Sequence, residues 1–183
     1  MLNSYSGTEP TVPTWTDLEA LAAKVRDRMV AMGKTLATAE SCTCGLVAAA
    51  IGSQKGASSF YLGGVVSYAN DVKRDLLGVS QNILSGPGPV SLECASAMAR
   101  GALTACASDV AIAVTGIAGP DGGTQAIPVG TVIFACATRR SVGDVRVATE
   151  RCLFAELSGD RQGLRMVATQ HALEMMLSWV EEC

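Results

Sequence analysis

The spacing of apolar positions predicts alternating helices and strands along this chain. Between residues 14 and 33 apolar side chains recur every three or four positions, which predicts a first helix. Residues 35–39 predict a short buried strand, and the small polar run 40–45 leads from it into the apolar run 46–51. This order indicates a strand, a tight turn and the start of a helix, with Ser41 at the turn.

The same alternation continues to the end of the chain. Strands are predicted over residues 60–68, 109–114, 130–138 and 145–154, and helices over residues 70–77, 91–103 and 160–181. Gly63 and Gly64 interrupt the first of these strands and indicate a bulge or a close backbone approach. We expect an α/β fold over residues 14–183, a single-domain sandwich of two or three layers with a mixed sheet flanked by helices. Residues 1–13 are polar with two prolines and predict a flexible tail, or an arm that docks on a neighbour.

Composition and charge narrow the class of protein. The 183 residues are enough for one domain with a substantial core, and 49% hydrophobic against 17% charged residues excludes a disordered chain. The net charge is −3, and no segment clusters Lys and Arg. A nucleic-acid-binding protein needs a basic surface, so we expect no nucleic acid partner.

Hydropathy and cysteine content indicate where the protein works. The longest aliphatic run, residues 46–51, is about a third of a membrane span, so we expect no membrane partner. The mean hydropathy of +0.30 must then reflect a buried interior or a subunit interface, which predicts a homo-oligomer. The first residues lack the features of a signal peptide, and seven cysteines at irregular spacing favour a reducing compartment. We therefore expect a cytoplasmic protein.

A single histidine limits the chemistry available to the chain. His171 lies in a segment with helical periodicity, which favours a helix-surface or interface position over a catalytic one. Cys42 and Cys44 are the only close pair of cysteines, and their spacing is typical of neither a zinc site nor a redox motif. If the chain is an enzyme, its base is a lysine, a tyrosine or a carboxylate, and we expect no metal.

Two interpretations stay open for the residues around the first turn. The Ser41 hydroxyl could face a ligand beside the helix amides, although the local pattern favours Ser41 or Thr43 as a helix cap and Glu40 as a solvated or capping carboxylate. Lys73 follows Tyr68 by five residues and could deprotonate a serine if it were buried. A surface position is the commoner outcome for a lysine.

A glycine-rich segment and an arginine offer a site for an anion. Residues 115–124 follow a predicted strand and suit either backbone amides around a phosphate or a plain connection. Arg161 would place a guanidinium at the start of the last helix, where a phosphate finds both charge and helix dipole. Asp160 as a helix cap beside a solvated Arg161 explains the same residues equally well.

Six motifs in sequence order resemble the C-terminal domain family of the competence-damage-inducible protein CinA, from about Leu18 to the C-terminus. They are AESCTCG at residues 39–45, GGVVSYAN at 63–70 with Lys73 and LGV at 77–79 in register, VS at 90–91, VTGIAGPDGG at 114–123, PVGT at 128–131 and GDR at 159–161.

The resemblance implies an activity and a set of site residues. It implies hydrolysis of the carboxamide of nicotinamide mononucleotide to nicotinic acid mononucleotide and ammonia, a salvage step in pyridine-nucleotide metabolism, with no metal or other cofactor. Ser41 would be the nucleophile, assisted by Tyr68 and Lys73. The residues implied in substrate binding are Glu40, Thr43, Gly45, Thr115, Gly116, Gly119 and Arg161.

The chain also departs from the family pattern. Cys44 replaces the first glycine of the usual TGG and brings a bulkier side chain to the turn, and Pro89 replaces the commoner alanine and should stiffen its loop. The large N-terminal domain of many CinA proteins has no counterpart here, so its pyrophosphatase activity is not expected. Two rival hypotheses remain. One is a non-catalytic protein, either a nucleotide sensor or a competence- and damage-associated protein. The other is a thiol enzyme that uses Cys42 or Cys44.

Overall fold

The structure, a computed structural model, describes residues 3–4, 11–141, 143–157 and 160–180. Helix α1 (Trp15–Met32) occupies the first predicted helical segment. The Thr14 hydroxyl accepts from the Asp17 amide while the Asp17 carboxylate accepts from the Thr14 amide, and this reciprocal cap fixes where α1 begins. Gly33 adopts a left-handed conformation (φ 60°) and ends it.

The strands form one mixed sheet, as the sequence predicts. In chain order they are β1 (Asn3–Ser4), β2 (Leu36–Glu40), β3 (Tyr61–Val66), β4 (Val110–Gly116), β5 (Thr131–Ser141) and β6 (Asp144–Leu153). Their order across the sheet is β1-β6-β5-β4-β2-β3. Strand β2 runs parallel to β3 and β4, whereas β5 runs antiparallel to β4 and β6.

Helices cover both faces of the sheet, which settles the number of layers at three. They are α1, α2 (Leu46–Gly52), α3 (Asn70–Leu77), α4 (Gln81–Ser85), α5 (Leu92–Ala105) and α6 (Arg161–Val180). Helices α1, α2 and α6 pack together on one face, and α3 and α5 pack together on the other. Each face of the sheet has its own hydrophobic core. Along β4, Ile112 lies in the core beneath α1, α2 and α6, while Ala111 and Ala113 lie in the core beneath α3 and α5. Residues 110–114 of the strand are all apolar because both of its faces are buried.

Most predicted elements are present, and α4 and β1 were not predicted. Helix α4 was not predicted, because a five-residue helix is too short to produce a periodic pattern. The predicted last helix reaches residue 181, which lies outside the described residues. Of the predicted tail, Asn3–Ser4 pairs in parallel with Cys152 and Leu153 of β6, while residues 1, 2 and 5–10 lie outside the described residues. No helix in the described ranges is both long and apolar enough to cross a membrane.

One glycine of the pair in β3, Gly64, marks a close approach to the neighbouring strand, as predicted. Gly64 lies beside Thr38 of β2, and a Cβ atom at Gly64 would overlap the Thr38 hydroxyl. The Tyr61 hydroxyl fills the remaining space and lies 2.9 Å from the Thr38 hydroxyl. The carboxyl ends of the parallel strands β2, β3 and β4 thus meet at one edge of the sheet, where ligands bind in open α/β folds.

Candidate active site

A serine and a lysine meet at the carboxyl edge of the sheet. Ser41 directly follows β2, and Lys73 lies on the first turn of α3. Lys73 Nζ is 3.1 Å from Ser41 Oγ, and the two residues are only 1% and 8% exposed. The surface position that the local pattern favoured for Lys73 is therefore wrong, because α3 packs against α5 and its Lys73 side chain is buried.

The contacts of Lys73 fit an amine that exchanges a proton with Ser41. Nζ donates to the carbonyl oxygens of Ser67, at 2.6 Å, and Tyr68, at 3.2 Å. A carbonyl oxygen can only accept, so these two bonds use two N–H groups in either protonation state. The third position points to Ser41 Oγ, as an N–H donor in the ammonium ion or as a lone pair that accepts the hydroxyl proton in the neutral amine.

Burial biases Lys73 toward the neutral amine. Desolvation lowers the pKa of Lys73 below its ordinary value, and the neighbouring thiols of Cys94 and Cys42 oppose this only in part. A lowered pKa increases the fraction of the lysine that carries the free lone pair a general base needs. Ser41 and Lys73 therefore place a hydroxyl and an amine that can accept its proton within hydrogen-bond distance.

A carboxylate, rather than a hydroxyl, caps the helix that follows Ser41. The Glu40 carboxylate is 1% exposed and accepts from the amides of Gly45 at 2.8 Å, Val47 at 3.2 Å and Ala48 at 2.8 Å. The N-cap residue of α2 is Gly45, which makes no side-chain capping bond of its own. The capping role favoured for Ser41 or Thr43 is therefore wrong, and the capping interpretation of Glu40 is confirmed. The Ser41 hydroxyl instead forms its hydrogen bond with Lys73.

An arginine that the sequence analysis missed holds the turn from the other side. Arg165 of α6 donates to the carbonyl of Cys42 at 3.2 Å and to that of Thr43 at 3.0 Å. The available signal was its spacing of four residues from Arg161, which places both guanidinium groups on one face of a helix. Among the described residues the buried Thr43 hydroxyl has no hydrogen-bond partner.

The predicted site residues converge on a cleft of about 190 Å³. Its lining includes Ser41, Tyr68, Lys73, Thr115, Gly116 and Arg161 from the prediction. Cys42, the nucleophile of the rival thiol hypothesis, also lines it, as do Asn70, Pro89, Val90 and Ala118, which were not predicted. Four residues implied in substrate binding do not line it: Glu40, Thr43, Gly45 and Gly119. The cleft thus takes in the segments after β2 and β4, the start of α3, the loop before α5 and the start of α6.

Arg161 bridges two sides of the cleft. Its guanidinium donates to the Gly119 carbonyl at 2.6 Å and to the Tyr68 hydroxyl at 3.0 Å. Arg161 is exposed, as the alternative interpretation expected, but these two bonds hold its guanidinium at the cleft. The other half of that interpretation is confirmed, because the Asp160 carboxylate accepts from the Gly163 amide at the start of α6. Gly159 of the same motif lies outside the described residues.

Tyr68 and Thr115 are tied to groups other than the Ser41 hydroxyl. The Tyr68 side chain is 58% exposed, and its phenol contacts Arg161 while its backbone carbonyl contacts Lys73. The Thr115 hydroxyl donates to the Pro89 carbonyl at 2.8 Å and so joins the end of β4 to the loop before α5. Both residues shape the cleft through these bonds.

The described side chains of the cleft favour a serine over a thiol nucleophile. Cys42 lines the cleft but is 4% exposed, and burial, together with the nearby Glu40 carboxylate, raises the pKa of its thiol to about 12. A thiol with this pKa holds its proton at neutral pH, and the thiolate is the nucleophile. Cys44 is exposed and does not line the cleft.

Comparison with known proteins places the chain among its relatives. The model of the CinA C-terminal domain matches residues 18–180. The chain belongs to this family. The nicotinamide-nucleotide amidohydrolase PncC of Escherichia coli K12 is 42% identical over 163 residues, which are 89% of this chain and 94% of that protein.

Other members of the CinA family are longer or have solved structures. A CinA-like protein of Mycolicibacterium gilvum is 45% identical over 84% of this chain, which spans only 35% of that protein's length. The crystal structure of a competence/damage inducible protein from Agrobacterium tumefaciens has a TM-score of 0.83 and 37% identity, covering 92% of this chain and 98% of that one. The described part of this CinA-family chain holds one group of three possible metal ligands, Glu150, Cys152 and His171, and none of these lines the cleft.

Proposed function

We propose that this chain hydrolyses the carboxamide of nicotinamide mononucleotide to nicotinic acid mononucleotide and ammonia, with Ser41 as the nucleophile. The observation that carries the proposal is the buried Lys73 amine, 3.1 Å from Ser41 Oγ. The name of the Escherichia coli relative, a nicotinamide-nucleotide amidohydrolase, supports the choice of substrate. The reaction belongs to pyridine-nucleotide salvage.

The proposed mechanism uses Lys73 twice. The neutral amine takes the proton of the Ser41 hydroxyl as Oγ attacks the carboxamide carbon, which gives a tetrahedral oxyanion. Collapse of this intermediate breaks the C–N bond, and the Lys73 ammonium returns the proton to the departing nitrogen, so that ammonia leaves. A water molecule then attacks the ester with Lys73 as base, and release of the acid restores the Ser41 hydroxyl.

The remaining residues bind substrate or hold the site in shape. Arg161 keeps N–H groups beyond its bonds to Gly119 and Tyr68, and a guanidinium suits a phosphate. We assign the phosphate to Arg161 and the amide and ribose to Thr115 and Gly116. Through their own bonds, Glu40, Thr43, Gly45 and Gly119 are positioning residues, and the Tyr68 phenol orients Arg161.

The decisive experiment compares the purified chain with Ser41→Ala. The assay measures ammonia and nicotinic acid mononucleotide released from nicotinamide mononucleotide without added metal. The wild type should release both in equal amounts, and Ser41→Ala should lose about a thousand-fold or more in kcat. Ser59→Ala, at an exposed serine outside the cleft, is the matched control and should keep full activity.

The other outcomes separate the rival functions. Binding of the nucleotide without release by the wild type would favour a non-catalytic sensor. Full activity of Ser41→Ala, with loss of activity in Cys42→Ser, would favour the thiol enzyme and overturn the serine mechanism.

The free thiols and the exposed sheet edge bear on the cellular setting. We propose that residues 14–183 act as one cytoplasmic domain, because the cysteines at positions 42, 44, 94, 106 and 152 are free thiols. We also propose a homo-oligomer, since Leu62 and Val66 of the edge strand β3 are 48% and 46% exposed. Light scattering coupled to size-exclusion chromatography tests the second point, and a monomer at micromolar concentration would contradict it.

A further inference from the structure

Three metal-ligating side chains converge between β6 and α6, outside the cleft. Glu150 and Cys152 are two residues apart on β6, so both side chains point to the same face of the sheet. His171 of α6 packs over this face. His171 Nε2 lies 3.1 Å from Glu150 Oε2 and 3.4 Å from Cys152 Sγ, and all three donor atoms lie within 4.8 Å of one another.

The surroundings hold the imidazole in place. The Phe134 ring packs on the His171 ring with centroids 4.6 Å apart, and Phe154 contacts it edge-on at 6.1 Å. The side chain of His171 is only 15% exposed, so of the two expected positions, helix surface or interface, the open helix surface is excluded. The same ring nitrogen, Nε2, therefore faces both the Glu150 carboxylate oxygen and the Cys152 sulfur.

We propose that Glu150, Cys152 and His171 form a binding site for Zn²⁺. Thiolate, imidazole and carboxylate are the three ligand types that Zn²⁺ takes in proteins. Bond lengths of about 2.0–2.3 Å to a tetrahedral Zn²⁺ place neighbouring donors about 3.4–3.6 Å apart. The separations of 3.1 and 3.4 Å at Nε2 are close to these values, and rotation of the Glu150 side chain brings its oxygen toward the sulfur.

Partial exposure of the site provides a route for the ion. Cys152 is buried, whereas the side chains of His171 and Glu150 are 15% and 27% exposed. The ion can therefore enter from the Glu150 side, and a water molecule can complete a four-coordinate shell, as in zinc sites with three protein ligands. Zn²⁺ takes cysteine as a thiolate, so the ion replaces the thiol proton on binding.

The ion would join the last strand to the last helix. Helix α6 carries Arg161 and Arg165 at its start, and both contact the candidate active site. His171 lies further along the same helix, so a metal bond to β6 restrains the element that holds both arginines. The site thus has a structural role that is separate from the proposed hydrolysis.

Cobalt spectroscopy tests the site directly. Co²⁺ added to the purified full chain should give a sulfur-to-cobalt charge-transfer band and visible d–d bands of tetrahedral intensity, and an equimolar amount of Zn²⁺ should remove both. Cys152→Ser should lose the charge-transfer band, and His171→Asn should weaken Co²⁺ binding by about ten-fold or more. Cys106→Ser, at a half-buried thiol on another face, is the matched control and should keep the wild-type spectrum.

Thermal unfolding provides a second readout. Free Zn²⁺ at about a hundred times its Kd should raise the Tm of the wild type and of Cys106→Ser by about 5–10 °C, and should leave Cys152→Ser unchanged. A wild type with no charge-transfer band and no Zn²⁺-dependent change in Tm would overturn the proposal, and the three side chains would then be a hydrogen-bonded cluster only. The proposal is also overturned if Cys152→Ser and Glu150→Gln, both folded by circular dichroism, keep the wild-type band.

Discussion

At the scale of single residues, the charge state of Lys73 controls the proposed reaction. Only the neutral amine can take the Ser41 proton, so kcat/KM should rise with pH and level off above the lowered pKa of Lys73. Lys73→Met should lose about a hundred- to ten-thousand-fold in kcat/KM and should lose this rise with pH. Lys55→Met removes an exposed lysine and should keep the wild-type profile. Unchanged activity in Lys73→Met would exclude Lys73 as the base.

The same lysine affects stability with a definite sign. Because burial lowers the pKa of Lys73 in the folded state, the folded chain binds fewer protons than the unfolded chain between the lowered and the ordinary pKa. The free energy of unfolding therefore rises with pH across this window. Lys73→Met lacks the titrating group, so its free energy of unfolding should rise less with pH across this window than that of the wild type. Urea denaturation at several pH values measures it.

Cys44 carries a backbone conformation that suits glycine. Its φ of 52° lies in the left-handed region, where a non-glycine residue costs about 1–2 kcal/mol. The side chain is exposed, so its removal loses little packing. Cys44→Gly should therefore raise the free energy of unfolding by up to about 1 kcal/mol, after the greater entropy of an unfolded glycine is counted. Cys44→Val should lower it, and denaturant titration compares the three; equal stabilities would show that the turn carries no strain.

The residues of the site differ in how far the sequence could predict them. The turn position of Ser41 follows from the strand, polar run and helix around it. The burial of Lys73 does not, because it depends on how α3 packs against residues distant in sequence, and only the family resemblance pointed to it. The capping role of Glu40 was one of several open interpretations, since its amide partners begin five residues further along the chain.

At the scale of elements, α6 positions the nucleophile turn. Arg165 offers two N–H groups in a fixed fork to the carbonyls of Cys42 and Thr43, next to Ser41. Arg165→Gln should lower kcat by about ten- to a hundred-fold while KM changes little, because a misplaced hydroxyl affects the attack and not the binding. Arg165→Lys should recover only part of the loss, since an ammonium group has no fork.

The control for Arg165→Gln is the same substitution at an exposed arginine outside the cleft. Arg146→Gln, at an exposed position of β6, should keep kcat and KM. A loss in Arg165→Gln that falls on KM alone would assign Arg165 to substrate binding, against the positioning role argued from its two carbonyl bonds.

Element boundaries were predictable where local rules fix them. The start of α5 follows from Ser91, whose hydroxyl accepts from the Cys94 amide, and α3 spans residues 70–77 as predicted. The number of layers was left open between two and three. Local patterns report that a strand is buried, as in β2 and β4, but the helices that cover each face come from distant parts of the chain.

At the scale of the whole molecule, the cleft depends on five separated segments, so ligand binding should stabilise the entire domain. Nicotinamide mononucleotide at about a hundred times its Kd should raise the Tm of inactive Ser41→Ala by about 5–10 °C. Nicotinamide riboside, which lacks the phosphate, should require a much higher concentration for the same rise. This difference should disappear when Arg161→Ala is added to Ser41→Ala. Arg161 and Lys73 both line the cleft, and Arg161 is the one to which we assign the phosphate. If the double variant still prefers the nucleotide, the phosphate lies elsewhere, and the buried Lys73 amine alone would remain as evidence for where the amide binds.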